Sequence, residues 1–235
     1  MENARKYYEA YDDRYTQVHG ENLRWFTSQP SPIVEEVIDL FSISPDGKSL
    51  EIGCGEGRDA AYLLNRGFPV LAPDISPAAI HYCRENYPQF AAHFRVLDCI
   101  SGALGEKFDF IYAVAVIHML VLNEDRAAFY SFIREHLAPS GVALICTMGD
   151  GVMERQSDIN TAFELQERTH EETGRTVFIA GTSCRVVNFD TFTKEIKDNG
   201  LALIRQGVTA IEPDFPQMMY AVVRRARRTF RWCRA

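Results

Sequence analysis

The chain has 235 residues, 46% of them hydrophobic and 24% charged, which is the composition of a globular protein long enough to bury a core. No apolar run approaches the roughly 18 residues of a membrane helix, and the polar start is unlike a signal peptide, so we expect a cytoplasmic protein that does not engage a membrane. The net charge of −7, with six arginines gathered in residues 224–235, leaves an acidic body that disfavours nucleic acid as a partner.

Residues 1–30 are predicted to form an N-terminal helical lid. Tyr7, Tyr11 and Tyr15 are four residues apart and so share one helical face, which either touches a ligand or docks the helix on the body. A second helix is expected after Ser31, because serine can cap and Pro32 can take the first helical position.

From residue 49 short apolar runs alternate with amphipathic segments, the order typical of a parallel sheet with crossover helices. The predicted strands are 49–52, 69–72, 94–97, 108–113 and 142–146. The predicted helices between them are 57–66, 77–86, opened by Ser76, and 124–137, capped by Asn123. We therefore expect an α/β fold of the doubly wound, Rossmann-like kind, with helices on both faces of the sheet.

After residue 150 this alternation stops. Residues 153–172 look helical and polar, 176–180 and 183–187 are candidates for a hairpin, and Asp190 is expected to cap a helix ending near Gly200. Two last strands are predicted at 201–205 and 218–223, which brings the sheet to seven strands. The domain prediction is a lid at 1–30, one domain at 31–223 with an insertion at about 150–188, and a basic tail at 224–235 that is either a solvated terminus or a phosphate-binding arm.

The segment that ends the first strand carries the strongest functional signal. It reads Leu50-Glu-Ile-Gly-Cys-Gly-Glu-Gly-Arg58, an acid followed by glycines at every second position, which lets backbone approach a ligand closely. A dinucleotide fingerprint needs a small residue where Arg58 stands, and a P-loop needs a Gly-Lys-Ser/Thr ending that is absent. Arg58 itself is expected to pair with Glu56 or Asp59 on the surface, or to meet a cofactor carboxylate.

The glycine segment resembles motif I of the class I S-adenosylmethionine (SAM)-dependent methyltransferases. Three later segments continue the resemblance in order: Leu71 to Ser76, Arg95 to Cys99 and Phe108 to Leu120. The segment 55–67 is also similar to tellurite-resistance-type and other small-molecule methyltransferases. The resemblance implies an antiparallel last strand, SAM as cofactor and S-adenosylhomocysteine (SAH) as product.

The family pattern also implies roles for single residues. Glu51 and the glycines would hold the amino-acid end of the cofactor, Asp74 the ribose hydroxyls, and Asp98 with its neighbour the adenine. The full set of cofactor contacts implied is Glu51, Gly53, Cys54, Gly55, Gly57, Asp74, Ile75, Asp98, Cys99, Ala113 and Val114, joined by Tyr11 and Tyr15 from the lid.

His118 is the candidate general base, because it follows the fourth strand at the edge where ligands bind in such sheets; the alternative is a packed histidine. The reaction implied is methyl transfer to an O, N or S nucleophile of a small molecule, with no metal. Further acceptor-pocket candidates are Met148, Asp150, Arg175 and Arg185.

Two other hypotheses stay open: a SAM-binding sensor or partner subunit without activity, and an enzyme for arsenite or another thiophilic acceptor. The second is suggested by the six cysteines (54, 83, 99, 146, 184 and 233), which are expected to be free thiols. For partners, we expect a small-molecule acceptor, no nucleic acid and no membrane, with a homodimer left open.

Overall fold

A computed structural model of the chain describes residues 5–170 and 172–226, so most of the predicted basic tail lies outside the described residues. The α-helices are α1 (Ala10–Gly20), α2 (Pro32–Phe41), α3 (Arg58–Asn65), α4 (Pro77–Asn86), α5 (Asn123–His136) and α6 (Phe189–Asp198). The strands are β1 (Ser49–Glu51), β2 (Val70–Asp74), β3 (Phe94–Val96), β4 (Phe108–Val114), β5 (Leu137–Met148), β6 (Arg155–Gln156), β7 (Leu165–Thr169), β8 (Thr176–Ala180), β9 (Arg185–Val186), β10 (Leu201–Ile211) and β11 (Phe215–Arg225). Among these helices, none has the length and apolar character that crossing a bilayer requires.

Seven strands form one sheet in the order β10-β11-β5-β4-β1-β2-β3. The first five strands of the chain pair in parallel, whereas β11 runs antiparallel to both β5 and β10. This confirms the predicted Rossmann-like fold, including the antiparallel last strand. The strand order reverses beside β1, between β4 and β2, and the carboxyl ends of the strands diverge there to leave a crevice for a ligand.

Apolar packing on both faces of the sheet explains why its central strands contain almost no polar residues. In β4, Phe110 and Tyr112 pack on one face with α2, α3 and α4, while Ile111 packs on the other face with α5 and α6. All three of these side chains are fully buried. A strand covered on both sides reads as a continuous apolar run, which is the pattern that identified the sheet.

Two of the predicted helix caps are wrong in detail. α5 begins at Asn123 itself, whose side-chain oxygen accepts a hydrogen bond from Arg185 Nη1 (2.7 Å) instead of capping the helix. α6 is capped by Asn188, which accepts from the Thr191 N–H (2.8 Å), so the predicted cap Asp190 lies inside the first turn. Ser76 caps α4 as predicted, accepting from the Ala79 N–H (3.0 Å).

The prediction for residues 153–172 is also wrong, because this segment contains β6, a short 3-10 helix and β7 rather than an α-helix. The predicted hairpin is replaced by two other pairs, β7 with β8 and β6 with β9. A tertiary contact explains the pairing: Val177 and Ile179 of β8 are buried against Val18 of α1. This apolar contact holds β8 against the body and leaves its edge for the polar strand β7.

A buried ion pair joins α5, α6 and the turn after β4. Arg126 is 1% exposed and donates to both carboxylate oxygens of Glu195 (2.8 and 2.7 Å). The same guanidinium donates to the Ile117 and Leu120 carbonyls (2.8 and 3.1 Å), and the Tyr130 hydroxyl donates to Glu195 (2.9 Å). Arg126 therefore holds the turn that carries His118, and Glu195 neutralises the charge of Arg126.

Replacing Glu195 by alanine should lower the free energy of unfolding by about 3 kcal/mol, because it leaves the buried Arg126 charge without its counter-ion. Lys194→Ala on the same helix is the control, since its pair with Asp198 is exposed to solvent and such pairs contribute little to stability. Urea unfolding followed by circular dichroism measures both variants. A loss for Glu195→Ala that equals the loss for the control would contradict this account.

Candidate active site

The turn between β1 and α3 brings bare backbone to the carboxyl edge of the sheet. Gly53 and Gly55 have φ values of +67° and +53°, a region that glycine enters without steric cost. A Cβ added at Gly53 would lie 2.7 Å from Val116 Cγ2, and one added at Gly55 would lie 2.6 Å from Tyr15 Oη. Both positions therefore require glycine for conformation and for space.

Asp74 closes this turn from the end of β2. Its Oδ2 accepts from the Gly55 N–H and its Oδ1 from the Ser76 N–H, each at 2.8 Å. Burial raises the pKa of Asp74, and the backbone donors, led by the Ser76 N–H, oppose that rise. Since a carboxylate can accept about four hydrogen bonds, Asp74 keeps capacity for two hydroxyl donors.

Asp98 follows β3 and has protein partners of its own. Its Oδ1 accepts from the Ile100 N–H (2.8 Å), and its Oδ2 accepts from Ser101 Oγ (2.6 Å) and Lys6 Nζ (2.8 Å). Burial would raise the pKa of Asp98, but these hydrogen bonds outweigh it, so the pKa is lowered and the group is anionic at neutral pH. Lys6 thus connects the start of the described chain to Asp98, the residue predicted to contact the adenine.

Glu51 at the end of β1 is 3% exposed, and the Tyr112 hydroxyl donates to its Oε2 (3.2 Å). Burial, and then the nearby charge of Asp59, raise the pKa of Glu51 well above its ordinary value. A buried carboxyl of this kind is stabilised in its ionised form by a cationic ligand group placed beside it.

These groups line one cavity of about 960 Å³, called here the first cavity. The predicted cofactor contacts that line it are Tyr11, Tyr15, Glu51, Gly53, Cys54, Gly55, Asp74, Ile75, Asp98, Cys99 and Val114. They come from the ends of four parallel strands and from the N-terminal segment, so the fold collects residues that are far apart in sequence.

Two predicted contacts, Gly57 and Ala113, do not line the first cavity. A Cβ on Gly57 would lie 2.8 Å from Cys83 Sγ and 2.9 Å from Phe94 Cε1, so this glycine lets α3 start close to its neighbours. Ala113 is fully buried in β4. Ala115, which the sequence did not single out, lines the cavity instead and has φ +59°, a conformation that costs an alanine roughly 1 kcal/mol.

The N-terminal segment covers the first cavity with Tyr8, Tyr11, Tyr15 and Phe26. Tyr7, although placed on the same predicted face, instead donates to Asp125 (2.7 Å) and accepts from the Val121 N–H (2.9 Å). The tyrosine face is therefore divided between contact with the cavity and attachment to the body.

Glu56 fixes the rest of this segment and was missed as a functional residue. Its carboxylate accepts from the backbone N–H groups of Trp25 (2.7 Å) and Phe26 (2.9 Å) and contacts His19 Nε2 (2.9 Å). No local pattern indicates these contacts, because the partners are about thirty residues apart in sequence.

Arg58 is largely buried and not on the surface as predicted. Its Nη1 donates to Asp214 Oδ2 (2.6 Å) in the loop between β10 and β11, which the sequence did not indicate. The predicted pair with Asp59 is present but long, at 4.0 Å between Arg58 Nε and Asp59 Oδ2, and Asp59 accepts shorter hydrogen bonds from the Ser31 N–H and hydroxyl (2.6 and 2.7 Å). The C-terminal hairpin thereby closes one side of the first cavity.

His118 lines a second cavity of about 840 Å³, which adjoins the first and shares Tyr11, Phe26, Met119 and Phe215 with it. The imidazole is 3% exposed, and its Nδ1 has no hydrogen-bond partner among the described residues. Burial, then the charges of Arg126 and Arg14, lower the pKa of His118 to about 3. His118 is therefore neutral at physiological pH.

Of the four candidates for the acceptor pocket, Met148 alone lines the second cavity. Asp150 is turned to its own loop, accepting from the Val152 N–H (2.8 Å), and Arg175 pairs with Glu21 (2.7 Å). Arg185 donates to the Val121 carbonyl (2.9 Å). The lining that the sequence did not single out is Arg14, Phe26, Arg168, Thr169, His170, Asp214 and Phe215.

The described cysteines are free thiols: Cys54, Cys83, Cys99, Cys146 and Cys184. Cys54 and Cys99 line the first cavity, and none of the five lines the second. Cys233 lies outside the described residues. Among the described residues, no thiol therefore lines the second cavity, although an enzyme for a thiophilic acceptor would lead one to expect a thiol there.

Comparison with known proteins agrees with this architecture. The profile of a methyltransferase domain family matches residues 50–143. The probable S-adenosyl-L-methionine-dependent methyltransferase TehB of Haemophilus influenzae is 27% identical over 113 residues, which is 47% of this chain and 39% of that protein. The first four curated relatives are longer proteins, and the chain spans between 27% and 56% of their lengths.

Solved structures match nearly the whole chain. The CcbJ methyltransferase of Streptomyces caelestis has a TM-score of 0.69 at 16% identity, covering 94% of this chain and 99% of that one. The 1,6-didemethyltoxoflavin-N1-methyltransferase of Burkholderia thailandensis, with 1,6-didemethyltoxoflavin and SAH bound, has a TM-score of 0.68 at 16% identity, covering 97% and 93%. The domain match over residues 50–143 and the shared fold confirm the predicted resemblance to class I S-adenosylmethionine-dependent methyltransferases.

Proposed function

We propose that this protein transfers a methyl group from SAM, bound in the first cavity, to a small molecule bound in the second. The observation that carries the proposal is the first cavity itself, where a glycine turn, a buried acid and two strand-end aspartates meet. The toxoflavin-precursor enzyme, which shares the fold, supports a small-molecule acceptor.

The residues of the first cavity fit the chemistry of the cofactor. Glu51 would pair with the ammonium of the methionine part, and the glycine turn leaves room for it. Asp74 would accept from the ribose hydroxyls with its remaining lone pairs. Asp98 and Cys99 would border the adenine; because Asp98 Oδ2 already accepts from Lys6, the adenine amino group would share or replace that donor.

When bound, SAM supplies an electrophilic methyl: the acceptor lone pair forms a bond to this carbon as the carbon–sulfur electron pair returns to sulfur, giving SAH. The protein's part is to align the acceptor and exclude water, which can supply a large share of the acceleration. Tyr8, Tyr11, Tyr15 and Phe26 cover the cavity and perform the second task.

The role predicted for His118 changes in this proposal. A group whose pKa is about 3 is a weak proton acceptor at neutral pH, and general bases work best when their pKa lies near the working pH. We therefore place His118 as a hydrogen-bonding group of the second cavity, and a proton released by the acceptor passes to solvent.

Methyl transfer itself is tested with SAM labelled in the methyl group and a cell extract that is separated into a small-molecule fraction and a protein fraction. With the wild-type protein we expect label in a small-molecule product and stoichiometric SAH. Cofactor binding by calorimetry without transfer to the small-molecule or protein fraction would favour the alternative, a SAM-binding sensor or partner subunit. Absence of binding by both SAM and SAH would contradict the proposal outright.

Asp74→Asn should weaken SAH binding about ten- to a hundredfold, since it replaces charge-assisted hydrogen bonds worth about 1.5–3 kcal/mol. Asp39→Asn on the exposed face of α2 removes the same charge away from the cavity and should bind SAH like the wild type. Titration calorimetry measures both affinities, and thermal unfolding verifies that each variant is folded. Equal affinities in the two variants would remove Asp74 from the binding site.

The lid proposal predicts that saturating SAH slows amide hydrogen exchange in residues 8–26, because the segment closes over the bound cofactor. Glu56→Gln should speed the exchange of the Trp25 and Phe26 amides in the free protein, since Glu56 accepts from both. Residues 32–41 of α2 do not line the first cavity and serve as the internal reference. If SAH leaves the amide exchange rates of residues 8–26 unchanged, the segment packs on the body of the protein without closing over the cofactor.

A further inference from the structure

The second cavity has an unusual balance of charge. Its cationic groups are Arg14 and Arg168, and its carboxylate is Asp214. Asp214 is already neutralised by Arg58 (2.6 Å) and accepts weakly from the Thr27 N–H (3.3 Å). Among the described lining residues, no carboxylate therefore remains to balance the positive charges of the two arginines.

Arg14 is 8% exposed and is held by neutral groups. Its Nε donates to the Ala180 carbonyl (3.2 Å), and its Nη2 donates to that carbonyl and to Thr182 Oγ1 (2.9 and 2.7 Å). Its guanidinium carbon lies 4.8 Å from the centre of the Trp25 ring. These contacts fix the orientation of the cation without cancelling its charge, and a buried charge without a counter-ion is costly.

Arg168 of β7 adds a second positive charge. Its Nη2 donates to Gln166 Oε1 (2.6 Å), again a neutral partner. Within residues 5–170 and 172–226, neither Arg14 nor Arg168 forms a salt bridge with an acid. Burial lowers the pKa of Arg14, and the charge of Arg168 lowers it further. Two like charges beside one cavity favour an anion between them.

The other side chains that line the second cavity indicate which kind of ligand would fit there. Four aromatic side chains and two thioethers line the cavity: Tyr11, Trp25, Phe26, Phe215, Met119 and Met148. His118 adds one buried nitrogen, Nδ1, that has no hydrogen-bond partner in residues 5–170 and 172–226. A planar apolar body with a polar substituent would pack against the rings and satisfy that nitrogen.

We propose that the second cavity binds the methyl acceptor as a small aromatic anion, with its carboxylate or phosphate held by Arg14 and Arg168. The proposal rests on the proposed function for its placement beside the cofactor. Tyr11, Phe26, Met119 and Phe215, which line both cavities, mark the side from which the acceptor would meet the methyl group.

The test uses the full-length protein saturated with SAH and three probes: 4-hydroxybenzoate, phenyl phosphate and the neutral 4-hydroxybenzamide. We expect at least one anion to bind at least tenfold more tightly than the amide by calorimetry, with an affinity that falls as salt is raised. The ratio of the two anion affinities distinguishes carboxylate from phosphate. An amide that binds as tightly as both anions, or no binding by any probe, would overturn the proposal.

Arg168→Gln is the informative variant, because Arg168 is exposed at the cavity wall whereas Arg14 also holds the backbone of residues 180–181. It should weaken binding of the preferred anion about five- to tenfold and leave SAH affinity unchanged. Arg175→Gln, on the same β7–β8 hairpin but outside the cavity, is the matched control and should behave like the wild type. Unchanged anion affinity in Arg168→Gln would contradict the assignment.

SAH titrations of the same preparations separate the two proposals. If the wild-type protein does not bind SAH, the proposed function is contradicted. The anion titrations are then run on the protein without SAH. Normal SAH binding with no preference for anions defeats the acceptor assignment alone.

Discussion

The site depends on the hydrogen bond from the Gly55 N–H to Asp74 Oδ2, 2.8 Å long, which ties the end of β1 to the end of β2. The Pro73 carbonyl strengthens the link by accepting from the Gly53 and Cys54 N–H groups (2.9 and 3.1 Å). Without them the glycine turn, whose φ values are positive, would have many accessible conformations. The same carboxylate that orders the turn is the one proposed to hold the ribose, so in that proposal Asp74 serves both ordering and recognition.

The N-terminal segment is fastened to the two turns that form this site. Asp12 of α1 accepts from Ser76 Oγ (2.6 Å) and the Ala78 N–H (3.0 Å) at the start of α4, next to Asp74. Glu56, inside the glycine turn, accepts from the Trp25 and Phe26 N–H groups. Hydrogen bonds to charged acceptors contribute roughly 1.5–3 kcal/mol each. These carboxylates therefore attach the N-terminal segment directly to the glycine turn and to the start of α4.

The sequence was sufficient for the sheet and for most of the first cavity, because both follow from local patterns. Glu51, Asp74 and Asp98 each stand at the end of an apolar run, and parallel strands bring such ends to one edge. The second cavity could not be found this way: Arg14, Arg168 and Phe215 come from a helix, an added hairpin and the start of the last strand. The same limit explains the error at residues 153–172, where the burial of Val177 and Ile179 against α1 decides the pairing of a polar strand.

The loop between β10 and β11 and the first residue of β11 lie between the two cavities. Asp214 pairs with Arg58, the first residue of α3, while Phe215 lines both cavities and packs 5.6 Å, centre to centre, from Phe26 of the lid. The ring of Phe215 also lies 6.3 Å from that of His118. Arg58, Asp214 and Phe215 thus form a continuous path of contacts from the glycine turn to the wall of the second cavity. Because close-packed side chains transmit strain to their neighbours, this path is the physical connection between the two cavities.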